Sequence, residues 1–364
     1  MTIRTLACLA AGALVGAGLP AAAADGHYAD RHYADGHYAD GHYWVEQLRL
    51  DQAWRLSTGA GVTVGVLDTG VNAGHPNLAG AVLPGRAFPD LGQGVQDAWG
   101  HGTTVAMLIA GRGVDGATKG VAPGAAILPV TTSGTSDAVS EALHWLVDQG
   151  AGVINLSVGR ARPSARSAAV LDEALAYAAR HDVVVVAAAG NSGTDTGVTT
   201  PADRPGVVAV SAVDRTGRFR PDVSVSGPEV ALAAPGVAIV TAGEAGVAGN
   251  DLSPDGTSYS AALVSGVIAL ARAAHPDESA AETVQRVLTT ARPAGAEGRD
   301  PEYGYGVVDP PAALAAPPAV KADAPARRTA WWPHALGVPA AVLVLAGAVV
   351  VLRRRNRPRS GTAR

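Results

Sequence analysis

The chain has 364 residues, a formal net charge of −4 and an apolar share of 48%. That length and apolar content allow a sizeable core, and the near-neutral charge gives no reason to expect nucleic-acid binding. A single cysteine, Cys8, excludes an intramolecular disulfide framework.

The N-terminus has the pattern of a secretory signal over residues 1–24. Arg4 starts it, an apolar run covers 6–19, and Ala21, Ala22, Ala23 and Ala24 offer small residues for cleavage. Removal of this segment takes Cys8 with it. Residues 25–44 repeat an Asp-Gly-His-Tyr-Ala unit, as in Asp25-Gly26-His27-Tyr28-Ala29. Asp and His recurring every five residues do not stack on one helical face, so the repeat reads as an arm rather than a metal site.

From 45 to 314, short apolar runs alternate with helical periodicity. This argues for an α/β domain, a doubly wound and mostly parallel sheet with helices on both faces. Strands are expected at 62–67, 153–156, 183–188, 207–213 and 237–241. Helices are expected at 101–109, stopped by Gly111, and at 137–149, 164–181, 257–274 and 277–290.

Residues 315–332 are rich in Pro and Ala and predict a linker. Residues 333–352 contain an uncharged apolar stretch long enough for one membrane helix. Trp331 and Trp332 precede it, and Arg353, Arg354, Arg355, Arg357 and Arg359 follow it. Positive residues stay inside, so the tail at 353–364 is expected in the cytoplasm and the large domain outside.

Three segments carry chemistry: Val66-Leu67-Asp68-Thr69-Gly70, His101-Gly102-Thr103 and Gly256-Thr257-Ser258-Tyr259-Ser260-Ala261. A serine nucleophile needs a base to take its proton, and the base needs a carboxylate to hold its tautomer. Asp68 falls at a predicted strand end, where open α/β sheets bind ligands. His101 and Ser258 each open a predicted helix. Each residue has a plainer reading taken alone: Asp68 as a strand-end cap, His101 as a solvated helix start, Ser258 as an N-cap. Asn191 after Gly190 is equally a turn residue. Asp51 and Asp97 are candidate calcium ligands by residue type alone, and no ligand spacing supports a metal site. His75, His144, His181, His275 and His334 belong to no motif.

In the order Asp…His…Ser, these segments resemble the subtilisin-like serine peptidases, the subtilase family, across 44–314. The resemblance implies catalytic roles for Asp68, His101 and Ser258. It implies an oxyanion role for Asn191, at the end of Val183-Val184-Val185-Val186-Ala187-Ala188-Ala189-Gly190-Asn191. Ser157, Val158 and Gly159, after Ile154-Asn155-Leu156, together with Gly190, match positions that bind substrate, 157–159 by main-chain pairing with an extended peptide. Gly120-Val121-Ala122-Pro123-Gly124-Ala125 matches another recurrent segment. No cofactor is implied, and structural calcium is left open. The layout of signal, peptidase domain, linker, span and basic tail resembles the mycosins, membrane-anchored subtilases of type VII secretion.

The chain departs from that pattern at Thr104, where a second His is usual, at Ala262, where a Pro is usual, and in lacking the disulfides of mycosins. Loss of the Pro is expected to bear on how the serine helix begins. The implied activity is that of a membrane-anchored extracytoplasmic endopeptidase acting on protein or peptide substrates. The alternative is a structural subunit of a membrane secretion complex that keeps the fold.

Overall fold

Seven strands run parallel in one sheet, in the order β2-β3-β1-β4-β5-β6-β7. They are β1 (Thr63–Asp68), β2 (Arg86–Phe88), β3 (Ala126–Thr132), β4 (Val153–Leu156), β5 (Val184–Ala188), β6 (Val207–Val213) and β7 (Val230–Pro235). The computed structural model describes residues 42–88, 96–97, 99–114, 117, 119–159, 163–242, 250–252 and 255–317. The expected signal, the repeat arm up to residue 41, the membrane span and tail, and all but the first residues of the linker lie outside them, while the last repeat residues, 42–44, lead into a helix of the domain.

Strand order reverses at β1. The chain steps from β1 toward β3 and β2, then returns across β1 to build β4 through β7. Right-handed crossovers in opposite directions put helices on opposite faces. One face carries α3 (His101–Ala110) and α6 (Thr257–Ala274), the other α4 (Ser136–Asp148) and α5 (Ala165–Arg180). Two short helices, α1 (Tyr43–Gln47) and α2 (Leu50–Ala53), precede the sheet, and α7 (Ala280–Thr289) and α8 (Pro310–Ala315) follow it.

Side-chain alternation along each strand feeds the two layers. Val64, Val66, Val153, Val184 and Val186 join the core under α3 and α6. Leu67, Ile154, Leu156, Val185 and Ala187 join the core under α4 and α5. Both faces are covered, so the strands read as continuous apolar runs rather than alternating ones. By the same alternation Asp68 shares a face with Val64 and Val66, the face that carries α3.

Helix α6 is the one described helix long and apolar enough to cross a membrane, but 78% of it is buried inside the protein. It is the central helix of the core. Gly266 in its middle explains how close it comes: a Cβ there would lie 2.6 Å from Val121 Cβ. The segment 120–125 therefore acts as a packing surface for α6, and Trp54 Nε1 secures it by donating to the Val121 carbonyl at 2.9 Å.

Several elements depart from the expected ones. The seventh strand is β7, Val230–Pro235, and the run expected at 237–241 contributes only to β8 (Val240–Ala242), which pairs antiparallel with β9 (Asn250–Leu252). β7 is Ala-rich and lacks the β-branched signature that marks its neighbours. β3 contains Pro129, which argues against a central strand. The fold tolerates it because Ile127 makes its backbone bonds to Ala81 and Leu83. By ladder alternation Pro129 faces that same side, before β2 starts at Arg86. The loss of Pro at 262 leaves α6 unbroken from Thr257, with Ala262 fully buried.

The end of the domain is tied down by ion pairs. Asp309 caps α8 by accepting from Ala312 N–H and pairs with Arg49, just before α2. Arg286 of α7, with its side chain 1% exposed, pairs with Glu278 and donates to the Ala313 carbonyl of α8 at 3.1 Å. The Arg286 hydrogen bond is the main cause that holds the Glu278 carboxyl below its ordinary value of 4.5, against an opposing push from burial. A carboxyl with a depressed folded-state pKa contributes stability above its unfolded pKa. That contribution fades as pH falls through the folded value. Glu278→Gln should lower stability by about 3 kcal/mol at neutral pH, the low end for breaking a buried pair. The gap to wild type should begin to narrow as pH falls below the ordinary carboxyl range and should close only below the depressed native value. Thermal melts of both proteins at neutral and acid pH check this; a constant gap would show that the pair is not pH-linked.

Candidate active site

The C-terminal ends of β1, β4 and β5 converge where the starts of α3 and α6 face the sheet. Asp68 is the last residue of β1 and is 1% exposed. His101 is the first residue of α3, and its Nδ1–H donates to Asp68 Oδ1 at 2.7 Å. Asp68 Oδ1 also accepts from Thr69 N–H at 2.7 Å. Its Oδ2 is buried with no hydrogen-bond partner among the described residues. The imidazole and one backbone N–H therefore compensate the buried charge. Gly102 lets the helix approach this closely, since a Cβ there would lie 2.1 Å from the Gly70 carbonyl oxygen.

Ser258 is in the first turn of α6 and 8% exposed. Its hydroxyl donates to the Ser157 carbonyl at 3.4 Å, a long contact that holds it weakly. The ring of the next residue, Tyr259, lies 5.8 Å centroid to centroid from that of His101. The three segments singled out by sequence thus meet. The imidazole is one-third exposed, so its outer edge is open to a reactant.

Asn191 follows β5. Its Oδ1 accepts from both the N–H and the hydroxyl of Thr257, at 3.0 and 2.9 Å. Two donors on one atom fix which end of the amide is oxygen, so the Nδ2 donors face away from Thr257. The same Thr257 hydroxyl accepts from Gly190 N–H at 3.2 Å. The Gly190 carbonyl accepts from Val225 N–H at 3.1 Å, so this residue spends its backbone groups inside the fold.

A buried polar seam joins α6 to β4. Ser265 Oγ donates to Asn155 Oδ1 at 3.0 Å, and Asn155 Nδ2 donates to Ser157 Oγ at 2.8 Å. Ser157 Oγ in turn donates to the Ser258 carbonyl at 3.2 Å. Beyond Ser157, Val158 and Gly159 line a pocket together with Gly134, Ser136, Val139, Leu171, Thr200 and Pro201. No ionisable side chain lines it.

Among the described residues no three His, Cys, Asp or Glu side chains cluster as metal ligands. Asp51 pairs with Arg55, and both side chains are exposed. His75 is buried and its Nδ1 accepts from Asn77 N–H. His144 and His181 bond to their own helix backbone and His275 to the Leu314 carbonyl. Sequence reasoning missed Thr257, Asn155 and Asp97. Asp97 stands four residues before His101, a spacing that suits a carboxylate reaching a helix start. Thr257 gave no signal of its own, because its role exists only once β5 and α6 adjoin.

Such an arrangement can move a proton. A carboxylate-held imidazole accepts from a nearby hydroxyl, and a rigid neutral amide can donate to a developing oxyanion. The chain as a whole is similar to known proteins. Mycosin-3 of Mycobacterium tuberculosis is 32% identical, over 85% of this chain and 84% of its own. Among solved structures, the MycP3 protease from the type VII (ESX-3) secretion system superposes with a TM-score of 0.67 at 36% identity, covering 75% of this chain and 87% of that one. A chain in an intact ESX-5 inner membrane complex gives a TM-score of 0.66 at 30% identity, covering 86% and 88%. Fervidolysin of Fervidobacterium pennivorans is 34% identical over 73% of this chain, but this chain spans only 42% of it. The subtilase family profile matches residues 59–306, a stretch that holds Asp68, His101, Asn191 and Ser258. The chain belongs to the subtilase family.

Proposed function

We propose that this subtilase is a membrane-anchored, extracytoplasmic serine endopeptidase that works with a type VII secretion complex. The observation that carries the catalytic reading is the 2.7 Å bond between His101 and the buried Asp68, beside the Ser258 helix start. In this reading Ser258 Oγ leaves the Ser157 carbonyl and attacks the scissile carbonyl carbon. His101 Nε2 takes the hydroxyl proton, and Asp68 stabilises the resulting imidazolium. Negative charge on the former carbonyl oxygen is met by Asn191 Nδ2 and by Ser258 N–H, which lies in the first helical turn, where intrahelical acceptors are lacking. His101 then protonates the leaving amine, and water hydrolyses the acyl-enzyme. Ser157, Val158 and Gly159 bind the substrate strand. The uncharged pocket beside them suits an uncharged side chain at the cleaved residue.

The membrane anchor rests on the apolar stretch ending at Leu352 and the arginines after it. The secretion link rests on the likeness to chains from ESX-3 and ESX-5 systems. That second likeness also favours the other reading, in which the domain serves the complex as a structural subunit.

Ser258→Ala should fold like wild type and lose both peptidase activity and labelling by a fluorophosphonate probe. Full labelling of that variant would sink the nucleophile assignment. Secretion that survives in Ser258→Ala cells but fails in cells lacking the chain would favour the structural role. Asn191→Ala should leave KM nearly unchanged and lower kcat by about a hundred- to thousandfold, the range that loss of such a donor causes in subtilisin. A raised KM with kcat spared would make Asn191 a binding or turn residue instead. For topology, protease added to intact cells should digest the catalytic domain and spare a tag fused after Arg364. Digestion of the tag would reverse the orientation.

A further inference from the structure

The carboxylate of Asp97 gathers five hydrogen bonds at the start of α3. Its Oδ1 accepts from the Thr69 hydroxyl at 2.8 Å, from Gly100 N–H at 2.8 Å and from Trp99 N–H at 3.1 Å. Its Oδ2 accepts from Thr103 N–H at 2.8 Å and from the Thr103 hydroxyl at 2.7 Å. These donors come from two places: Thr69 directly follows Asp68, and Gly100 and Thr103 bracket His101. The N-cap residue of α3 is Gly100, which sits at φ 76 and has no side chain to cap with. Asp97 supplies the missing acceptor from three residues upstream, and its charge suits the positive end of the helix dipole.

The two threonines extend the clamp. Thr69 Oγ1 accepts from Gly102 N–H at 3.0 Å, and Thr103 Oγ1 accepts from Asn72 N–H at 2.9 Å. A hydroxyl has one proton to give. With a backbone N–H already arriving at each oxygen, each proton is directed to Asp97. The carboxylate, two hydroxyls and the N–H groups of Gly102 and Asn72 thus stitch the exit of β1 to the entrance of α3. Across that seam runs the bond between Asp68 and His101.

The geometry points to Asp97 as a positioning residue that sets the Asp68–His101 register, a role that rests on the serine-peptidase reading above. It touches none of the three triad side chains. It acts by holding the strand end and the helix start that present two of them. Asparagine at 97 keeps the shape but turns one acceptor into a donor. That NH2 would then face either the Thr103 N–H and hydroxyl or the three donors now on Oδ1, and the seam would open on one side.

The test compares full-length wild type, Asp97→Asn and Asp214→Asn, whose carboxylate clamps its own turn through Thr216 and Arg218. Thermal melts establish that each variant folds. Asp97→Asn should lose about ten- to a hundredfold in kcat and equally in fluorophosphonate labelling rate, with KM within about twofold of wild type. The downfield proton resonance of the His101 Nδ1–H should move or vanish in the same variant. Asp214→Asn should match wild type in all of these. If Asp97→Asn does not fold, Thr69→Val removes one donor from the carboxylate and the acceptor for Gly102 N–H, and carries the same readouts. A folded variant at 97, or failing that at 69, with wild-type labelling rate and an unmoved resonance would overturn the inference. A wild type that takes no label at all would instead overturn the peptidase reading.

Discussion

One buried carboxylate organises this end of the molecule. Asp68 is almost wholly removed from water at the end of a central parallel strand. An ionised carboxylate in such a place must be met by donors, because burying an uncompensated charge is costly. The donors within reach are an imidazole and a backbone N–H. Bringing that imidazole in requires the start of α3 to press against the exit of β1, and this requires a glycine at 102. The turn leading into α3 needs a positive φ at Gly100, which costs the helix its side-chain cap. Constraint follows constraint from a single buried charge, and the residues between 97 and 103 are the solution.

A second set of buried polar groups fixes the other half of the site. Thr257 orients the Asn191 amide, and the chain Ser265–Asn155–Ser157 fastens α6 to β4 beneath Ser258. In a low-dielectric interior such groups are stiff because every alternative leaves one of them unpaired. The core helix α6 is thereby located by polar contacts at its start and by tight apolar packing at Gly266. Electrostatic stabilisation of an oxyanion depends on that rigidity, since donors that need not reorganise act more strongly.

The layered α/β architecture was legible because parallel strands covered on both faces must be continuously apolar. The runs at 153–156 and 207–213 stood out for their β-branched residues, and their bounds agree with β4 and β6. β7 was not legible. An Ala-rich segment is equally at home in a helix, and only its ladder with β6 makes it a strand. β3 was hidden by Pro129, which is harmless only because of where β2 begins. The capping box at Ser279 and Glu282 could have trimmed the last long helix to its observed start, since it is a local signal.

What the sequence determined by itself was the chemistry available. It supplied an Asp, a His and a Ser in a telling order, each beside residues small enough for close approach, and an Asn after a buried strand. Those signals are local because a nucleophile, a base and a helix start each need particular neighbours within a few residues. Only the tertiary structure decided which groups are held and by what. That Asp97 stitches β1 to α3, that Thr257 aims Asn191, and that Gly190 spends its backbone inward are facts of segments brought together from distant parts of the chain. Hydrogen-bond partners between such segments are set by packing, and no local pattern records them.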